Sequence, residues 1–242
     1  MLSIKGLSKT FGKVEAVKDL DLEVSSGEVF GLLGANGAGK TTTMRVLATM
    51  ISPTAGNATI NGFDLRKNPE DVRRSVGLLF GGDTGLYERL TARENIMYFA
   101  ELNDVEVNLA QERIDELGKV FNFTEFLDKP VGKLSKGTRQ KVALARAIVH
   151  RPPLMMLDEP MVGLDVTARR DVEEFILFLR EQGQTIMVSD HALSVVERLC
   201  GRVAILAKGE LIELGTIPEL CKKHNTENLE ETFFKLAGEE DK

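Results

Sequence analysis

The sequence has few cysteines, and they are not spaced like metal ligands. Two cysteines, Cys200 and Cys221, occur among 242 residues. Such a pair is better interpreted as two free thiols in a reducing compartment than as a disulfide bridge. Because no histidines or further cysteines lie at ligand spacing, a zinc site is not expected. Cys200 continues an apolar stripe with Val195 and Leu199, which predicts a buried position.

Long apolar runs and clustered basic residues are also missing. No apolar segment approaches the ~20 residues that cross a bilayer, and residues 1–9 do not have the pattern of a signal peptide. We therefore expect a cytoplasmic protein, unless a partner holds it at a membrane. The net charge is −6 and the lysines and arginines are scattered, which argues against a nucleic-acid partner.

The chain is organised around a glycine-rich turn at residues 34–41 that reads G-x-x-x-x-G-K-T, between an apolar run and a helical pattern. Small residues that adopt positive φ let backbone amides approach a triphosphate closely, and the following helix directs its N-terminal amides at the phosphates. Lys40 is expected at the β and γ phosphates and the Thr41 hydroxyl at Mg²⁺. The ATP-binding residues predicted here are Gly34, Ala35, Asn36, Gly37, Ala38, Gly39, Lys40, Thr41 and Thr42.

The turn alone does not define a reaction. The alternative is a glycine-rich connection that binds nothing, and kinases, GTPases, helicases and transport ATPases share the motif.

Before this turn, alternating apolar and polar residues at 2–7 and 14–24 predict short antiparallel strands with one solvent-facing side. Phe11 lies between these strands, where an aromatic residue either packs on a strand face or stacks on an adenine.

Beyond residue 87 the pattern is mainly helical up to residue 134. Thr91 and Glu94 form a capping box, and Asn108 is expected to open a second helix. A long helix after Ser135 and an apolar strand follow, and later strands alternate with helices as in a mainly parallel sheet. The expected subdivision of one 242-residue α/β domain is an α/β core with an antiparallel β subdomain (1–86 and 135–215), a helical subdomain (87–134) and a helical tail (216–242).

Acidic and histidine residues follow two of the predicted strands. Asp158 and Glu159 close an apolar strand, and His191 follows the next one. Asp158 is positioned to hold Mg²⁺ through water, and Glu159 to activate an attacking water as general base. A lone histidine beside a strand is usually only hydrogen-bonded, but with these carboxylates His191 is predicted to contact the γ phosphate and steer that water.

Four ordered motifs together resemble the nucleotide-binding subunit of ABC transporters across essentially the whole chain. They are the turn at 34–41, the segment Leu-Ser-Lys-Gly-Thr-Arg-Gln at 134–140, the strand and loop at 154–165, and His191. The resemblance implies a P-loop NTPase (RecA-like) fold, ATP hydrolysis with ATP and Mg²⁺ as ligands, and adenine stacking by Phe11.

The segment at 134–140 is similar to the family signature. Ser135 is a good N-cap, and the amides of Lys136 and Gly137 open a helix, so a second anion site is predicted within one chain. In the family, this site closes over ATP bound to a second copy, giving a dimer with two MgATP sandwiched. Ser135 and Gly137 are therefore predicted to bind ATP. The alternative is a capped helix start that binds no ligand.

The chain departs from the family after the strand at 76–80, where Gly81 and Gly82 replace the usual glutamine. Backbone carbonyls, water or Asp83 are possible substitutes for that side chain. Residues 79–82 and 84–87, and the signature residues Lys136 and Thr138, resemble the sodium-exporter type of ABC ATPase. Residues 228–236 resemble the C-terminal helix of drug- and sodium-exporting members, although a simple amphipathic tail helix has the same pattern.

The resemblance implies the ATPase subunit of a bacterial or archaeal exporter, peripheral on the inner face of the membrane through a separate permease. The permease is expected to dock at the loop 81–87 and the helical subdomain. Three alternatives stay open: a soluble ABC ATPase acting on ribosomes or DNA, a P-loop kinase, and a regulatory ATP-binding module without turnover. Two cassettes or a long coiled coil would favour the first, and neither is present.

Overall fold

The computed structural model describes residues 1–81 and 85–239, and side chains up to residue 236. The strands are β1 Leu2–Phe11, β2 Val14–Val24, β3 Val29–Leu33, β4 Ala55–Ile60, β5 Phe63–Asp64, β6 Val76–Phe80, β7 Leu154–Asp158, β8 Thr185–Ser189, β9 Arg202–Ala207 and β10 Glu210–Thr216. The α-helices are α1 Lys40–Leu47, α2 Pro69–Arg74, α3 Ala92–Leu102, α4 Val107–Val120, α5 Lys136–Ile148, α6 Val166–Glu181, α7 Leu193–Leu199, α8 Ile217–His224 and α9 Leu229–Glu239.

Six of the described strands form one sheet in the order β10-β9-β3-β8-β7-β6. The pairs from β9 to β6 are parallel, and β10 pairs with β9 antiparallel as a hairpin. Parallel strands place their carboxyl ends along one edge, where ligands bind in open α/β sheets. The predicted α/β fold with a mainly parallel sheet is confirmed, and the ends of β3, β7 and β8 lie side by side.

Each central strand contributes alternate residues to two cores, one on each face of this sheet. In β7, Met155 and Leu157 belong to the core with α5 and α6, whereas Leu154 and Met156 belong to the core with α1 and the antiparallel strands. This explains why the strand is apolar at consecutive positions, as buried parallel strands are. The helices α1 and α5 therefore pack on opposite faces of the sheet.

The second sheet is antiparallel, in the order β2-β1-β4-β5 among the described residues. Its strands β1 and β2 have 10 and 11 residues, so the prediction of short strands is wrong. The pairing of β1 with β2 shifts register at several points, and Gly6 there has a φ of 57°. Irregularities of this kind insert extra residues without ending a strand, which is why breaks in the alternation did not mark strand ends.

Residues 92–133 contain α3, α4 and 3-10 turns at Thr124–Phe126 and Val131–Lys133. The capping box of Thr91 and Glu94 is present as predicted. Helix α4, however, begins at Val107, because the side chain of Glu106 caps it by accepting the Leu109 amide at 3.0 Å. The expected start at Asn108 is therefore wrong.

Cys200 and Cys221 are both free thiols, and Cys200 is buried, as predicted. The part of the chain that the structure describes contains no helix long and apolar enough to span a bilayer. The predictions for Gly82, Asp83 and Thr84 lie outside the described residues, as does the end of the tail from residue 240 onwards.

Candidate functional site

The turn at residues 34–41 connects β3 to α1, and Gly39 in this turn is required by both conformation and space. Gly39 precedes α1 with a φ of 105°, a region that L side chains rarely adopt. A Cβ atom on Gly39 would lie 2.5 Å from the carbonyl oxygen of Ala16. The turn is thus packed against β2 on its outer side, and α1 begins without a side-chain cap. Its first amides are left for an anion.

Lys40 lies inside this turn and is 5% exposed. Its Nζ donates hydrogen bonds to the carbonyl oxygens of Gly34 at 2.6 Å and Ala35 at 3.1 Å. Burial lowers the pKa of Lys40, and the nearby carboxylates of Glu159 and Asp158 act in the opposite direction. The cation is therefore held in a partly desolvated position, where its attraction for phosphate is strong.

Thr41 and Asp158 meet across the ends of β3 and β7. The Thr41 hydroxyl donates to Asp158 Oδ2 at 2.7 Å, and the Ser189 hydroxyl donates to Asp158 Oδ1 at 2.5 Å. Asp158 and Ser189 are both buried and face each other in the pairing of β7 with β8. Hydroxyl and carboxylate oxygens are the donors that Mg²⁺ prefers, together with water and phosphate, so this pair fits a magnesium ion bound beside a nucleotide.

Glu159 and His191 form the next pair along the edge. His191 Nε2 lies 2.6 Å from Glu159 Oε1, and both side chains remain partly exposed. Glu159 has a φ of 50°, which is uncommon for a residue with a side chain. Its amide donates to the Ser189 carbonyl oxygen at 2.9 Å. The kink turns the Glu159 side chain away from the strand and towards His191.

Asp190 lies between these groups and is buried. Its Oδ1 accepts the Ala192 amide at 2.8 Å, while Oδ2 is buried without a hydrogen-bond partner among the described residues. Burial raises the pKa of Asp190, and the nearby Glu159 carboxylate adds to the increase. Several carboxyl groups thus crowd this edge of the sheet, and their mutual repulsion disfavours a further negative charge on Asp190.

Phe11 ends β1 and does not belong to a core. Its side chain is 49% exposed, with the Lys9 ammonium 4.9 Å from the ring centroid. The ring is therefore not buried in a core, and its exposed half is accessible to a planar ligand.

Ser135 and Gly137 lie at the start of α5. The exposed Ser135 caps the helix, its hydroxyl accepting the Thr138 amide at 3.2 Å. A Cβ atom on Gly137 would lie 2.9 Å from the Cβ of Ala168 in α6. Gly137 thus has a packing role between α5 and α6 whether or not it also binds a nucleotide.

Two buried polar residues of the site were not predicted. Ser189 orients both Asp158 and Glu159, and Gln140 Nε2 donates to the Pro160 carbonyl oxygen at 2.6 Å, tying α5 to the segment after Glu159. Ser189 is preceded by four buried strand residues. Ser189 could have been found from the sequence, because its hydroxyl ends an apolar strand and directly precedes the acidic Asp190.

These motifs and their geometry agree with a family comparison. The model of the ABC transporter family matches residues 17–162, more than half of the chain. The chain therefore belongs to the ABC transporter ATP-binding family, whose members hydrolyse ATP, and it is an ATP-binding subunit of that family.

Several named proteins are similar to this chain. It is 42% identical over 221 residues to the ABC transporter ATP-binding protein NatA of Bacillus subtilis, covering 91% of this chain and 90% of that protein. It is 38% identical to the bacitracin transport ATP-binding protein BcrA of Bacillus licheniformis, with 96% of this chain and 74% of that protein covered.

Solved structures agree on the fold. An ATP-binding subunit of an ABC transporter superposes with a TM-score of 0.90 at 30% identity, covering 98% of this chain and 99% of that one. A dimeric ATP-binding cassette in a post-hydrolysis state, bound to ADP and phosphate, superposes with a TM-score of 0.80 at 26% identity, covering 89% and 98%.

Proposed function

We propose that two copies of this chain sandwich two MgATP and that the resulting movement drives a separate exporter permease in the membrane. The observation that supports this best is the position of two candidate phosphate-binding helix starts. Helix α1 packs on one face of the six-stranded sheet and α5 on the other. If the turn at 34–41 holds a nucleotide, the start of α5 is available for the nucleotide of a second copy.

In this proposal the turn at 34–41 and Thr42 wrap the phosphates, with Lys40 exchanging its two carbonyl partners for β and γ phosphate oxygens. Phe11 stacks on the adenine. Ser135 and Gly137 of the second copy approach the γ phosphate from the opposite side. The relatives named for bacitracin transport and for Nod factor export support an exporter, and the transported substrate is a property of the permease.

Hydrolysis is assigned to Glu159 and His191. A water oxygen attacks the γ phosphorus, the bond to the oxygen bridging the β and γ phosphorus breaks, and Glu159 takes the proton of the water as general base. His191 orients the carboxylate at 2.6 Å and contacts the γ phosphate. Thr41 and Asp158 would hold Mg²⁺, which would neutralise charge on the phosphates.

A variant Glu159→Gln tests the assignment. We expect turnover to fall by about 10²-fold or more, the scale of a lost general base, while MgATP still binds and the ATP-bound protein accumulates as a dimer. The matched control is Glu174→Gln, because Glu174 is an exposed residue of α6 that pairs with Arg170. ATPase rates, nucleotide titration and light scattering measure these three quantities. A Glu159→Gln variant that stays monomeric in saturating ATP refutes the shared site.

The permease is proposed to dock beside α3. A groove of about 460 Å³ lies between α2, β6, α3 and α5, and Tyr98 and Leu102 expose 42% and 58% of their surface near it. Arg73, Arg74 and Arg146 line the same groove. A short amphipathic helix carrying a carboxylate matches this combination of apolar and basic groups.

The docking proposal is tested with Leu102→Asp. Leu214→Asp is the control, because Leu214 is also exposed but lies on β10. Where a membrane permease is encoded beside this gene, we expect Leu102→Asp to abolish co-purification with it and to leave the ATPase rate of the isolated chain unchanged. Equal retention of both variants would place the permease elsewhere.

A further inference from the structure

The ring of Phe11 is covered on one face by a cation. Its side chain is 49% exposed at the end of β1, and the Lys9 ammonium lies over the ring, 4.9 Å from the centroid. A cation placed in this way is attracted by the negative face of an aromatic ring. A planar ligand that stacks on Phe11 therefore has the face opposite Lys9 available to it.

The strand itself places Lys9 beside the ring. Residues two apart in a β-strand lie on the same side, so the side chains of Lys9 and Phe11 share one side of β1. Between Lys9 and Thr10 the pairing partner in β2 changes by two residues, so the extra residue at this irregularity belongs to β2. The alternation of β1 is thus kept from Lys9 to Phe11.

The ammonium is also fixed to the segment that follows α1. Lys9 Nζ donates a hydrogen bond to the Ser52 carbonyl oxygen at 2.8 Å. Close by, the Thr54 amide donates to the Ser8 carbonyl oxygen at 2.8 Å, so the two segments are joined by backbone as well. The start of α1 is the candidate phosphate site. Lys9 therefore connects the Phe11 ring to the chain that continues from the phosphate-binding helix.

We propose that Lys9 is a positioning residue for the base of the nucleotide: its ammonium holds the Phe11 ring from one face so that the adenine stacks on the other. This inference rests on the proposed stacking of adenine on Phe11. An exposed phenylalanine side chain rotates among staggered conformers, and every conformer that cannot stack lowers the fraction of protein that is ready to bind. Because Lys9 acts on the ring, its contribution requires a ligand that has a base.

The variant Lys9→Gln tests the proposal, with Lys5→Gln as the matched control. Lys5 is an exposed residue of the same strand, and at ~3.3 Å per residue it lies roughly 20 Å from Phe11. We expect Lys9→Gln to raise KM for ATP about two- to fivefold, the effect of one exposed contact between a cation and a ring, with kcat unchanged. Lys5→Gln is expected to behave as the wild type. An unchanged KM in Lys9→Gln overturns the inference.

A conservative variant checks that the cation is what matters. Arginine also stacks on aromatic faces, so Lys9→Arg is expected to have the KM of the wild type. If Lys9→Arg raises KM as much as Lys9→Gln does, the contact with the ring is not the cause and the inference fails.

Inorganic tripolyphosphate separates an effect on the ring from an attraction for the phosphates, because this probe carries the phosphate charge without a base. In calorimetric titrations with Mg²⁺ present, we expect Lys9→Gln to bind tripolyphosphate as tightly as the wild type and to bind ATP more weakly. An equal loss of affinity for the two ligands would show that Lys9 acts on the phosphates through its charge, which overturns the inference.

A double-mutant cycle with Phe11→Ala tests whether Lys9 acts through the ring. Deleting the ring is expected to weaken ATP binding about fivefold or more, the scale of one stacked base. In the Phe11→Ala background, Lys9→Gln should then lower the affinity no further. An equal proportional loss with and without the ring contradicts the positioning role.

The two proposals fail in distinguishable ways. If Phe11→Ala binds ATP like the wild type, the proposed stacking of adenine on Phe11 is wrong. If Phe11→Ala binds ATP weakly but Lys9→Gln binds it normally, only the positioning role of Lys9 is wrong.

Discussion

The starts of α1 and α5 are both candidate phosphate sites, yet they are built differently. Helix α1 begins after Gly39 with no side-chain cap and with the buried Lys40 beside it. Helix α5 begins after Ser135, an exposed residue whose own hydroxyl accepts the Thr138 amide. The first start has a buried cation beside it, whereas the second faces solvent. This contrast is what the proposal of a shared site requires, in which α5 contributes one half and a second copy the other.

The largest effect is expected from Lys40→Ala, which removes the buried cation at the start of α1. Removing the buried cation deletes its contacts with phosphate and leaves the carbonyl oxygens of Gly34 and Ala35 without their donor. We expect ATP affinity to fall at least about tenfold, since hydrogen bonds to charged groups contribute about 1.5–3 kcal/mol. Calorimetric titration measures this. If tight binding is retained, the turn at 34–41 is not the nucleotide site.

Ser135→Arg breaks the exposed site instead. A long cation at the start of α5 is expected to block closure of two copies and to reduce turnover about tenfold or more, while one copy still binds ATP. Ser135→Ala is the control for the lost cap, which costs about 1 kcal/mol of stability. Steady-state ATPase assays and titration with ATP distinguish the two. Normal turnover in Ser135→Arg would show that this helix start does not contact nucleotide.

Gly137→Ala tests whether the exposed site also depends on packing. The new Cβ would lie 2.9 Å from Ala168 Cβ, so α5 and α6 must separate at a cost of about 1–3 kcal/mol, partly offset by up to about 1 kcal/mol of helix propensity. We expect a net loss of about 1 kcal/mol in urea unfolding. Gly118→Ala in α4 is the control, because it meets only the flexible Leu127 side chain and Thr124. Equal stability of both variants would remove the packing argument.

The smallest effect concerns His150, which lines the groove beside α3. Burial lowers its pKa below the ordinary value of 6.5. The unfolded chain therefore binds a proton before the folded protein does, and stability is lost as the pH falls below about 6.5 towards the lowered pKa. When the pH falls from about 7.5 to about 5.5, the melting temperature of the wild type should therefore decrease more than that of His150→Gln. A pH-independent difference between the two would contradict this.

The sequence predicted the parts of the site that depend on neighbouring residues. The turn at 34–41, the capping box at Thr91 and the capped start at Ser135 are determined by short-range contacts. Helix α2 and the N-cap Glu106 were missed, because a short helix with proline at its start and a glutamate cap have weak local signals.

Contacts between distant segments were beyond the sequence alone. The lack of room at Gly81 depends on Glu159, which lies far along the chain, and the bond from Ser189 to Asp158 joins two strands. The sequence shows that Gly81 stands where the family usually has a glutamine, and the structure adds that its Cα lies close to the Glu159 carbonyl oxygen, which a Cβ would approach to 2.6 Å. Only the fold brings these pairs together.

Strand β7 assigns successive residues to two different cores, and this has a consequence for how the protein tolerates change. When one apolar side chain of β7 is replaced by another, only the packing around that side chain in one core changes. An insertion or deletion of one residue would instead send every following side chain to the wrong face, moving Asp158 off the Thr41 hydroxyl. The length of this strand should therefore vary far less among functional variants than its composition.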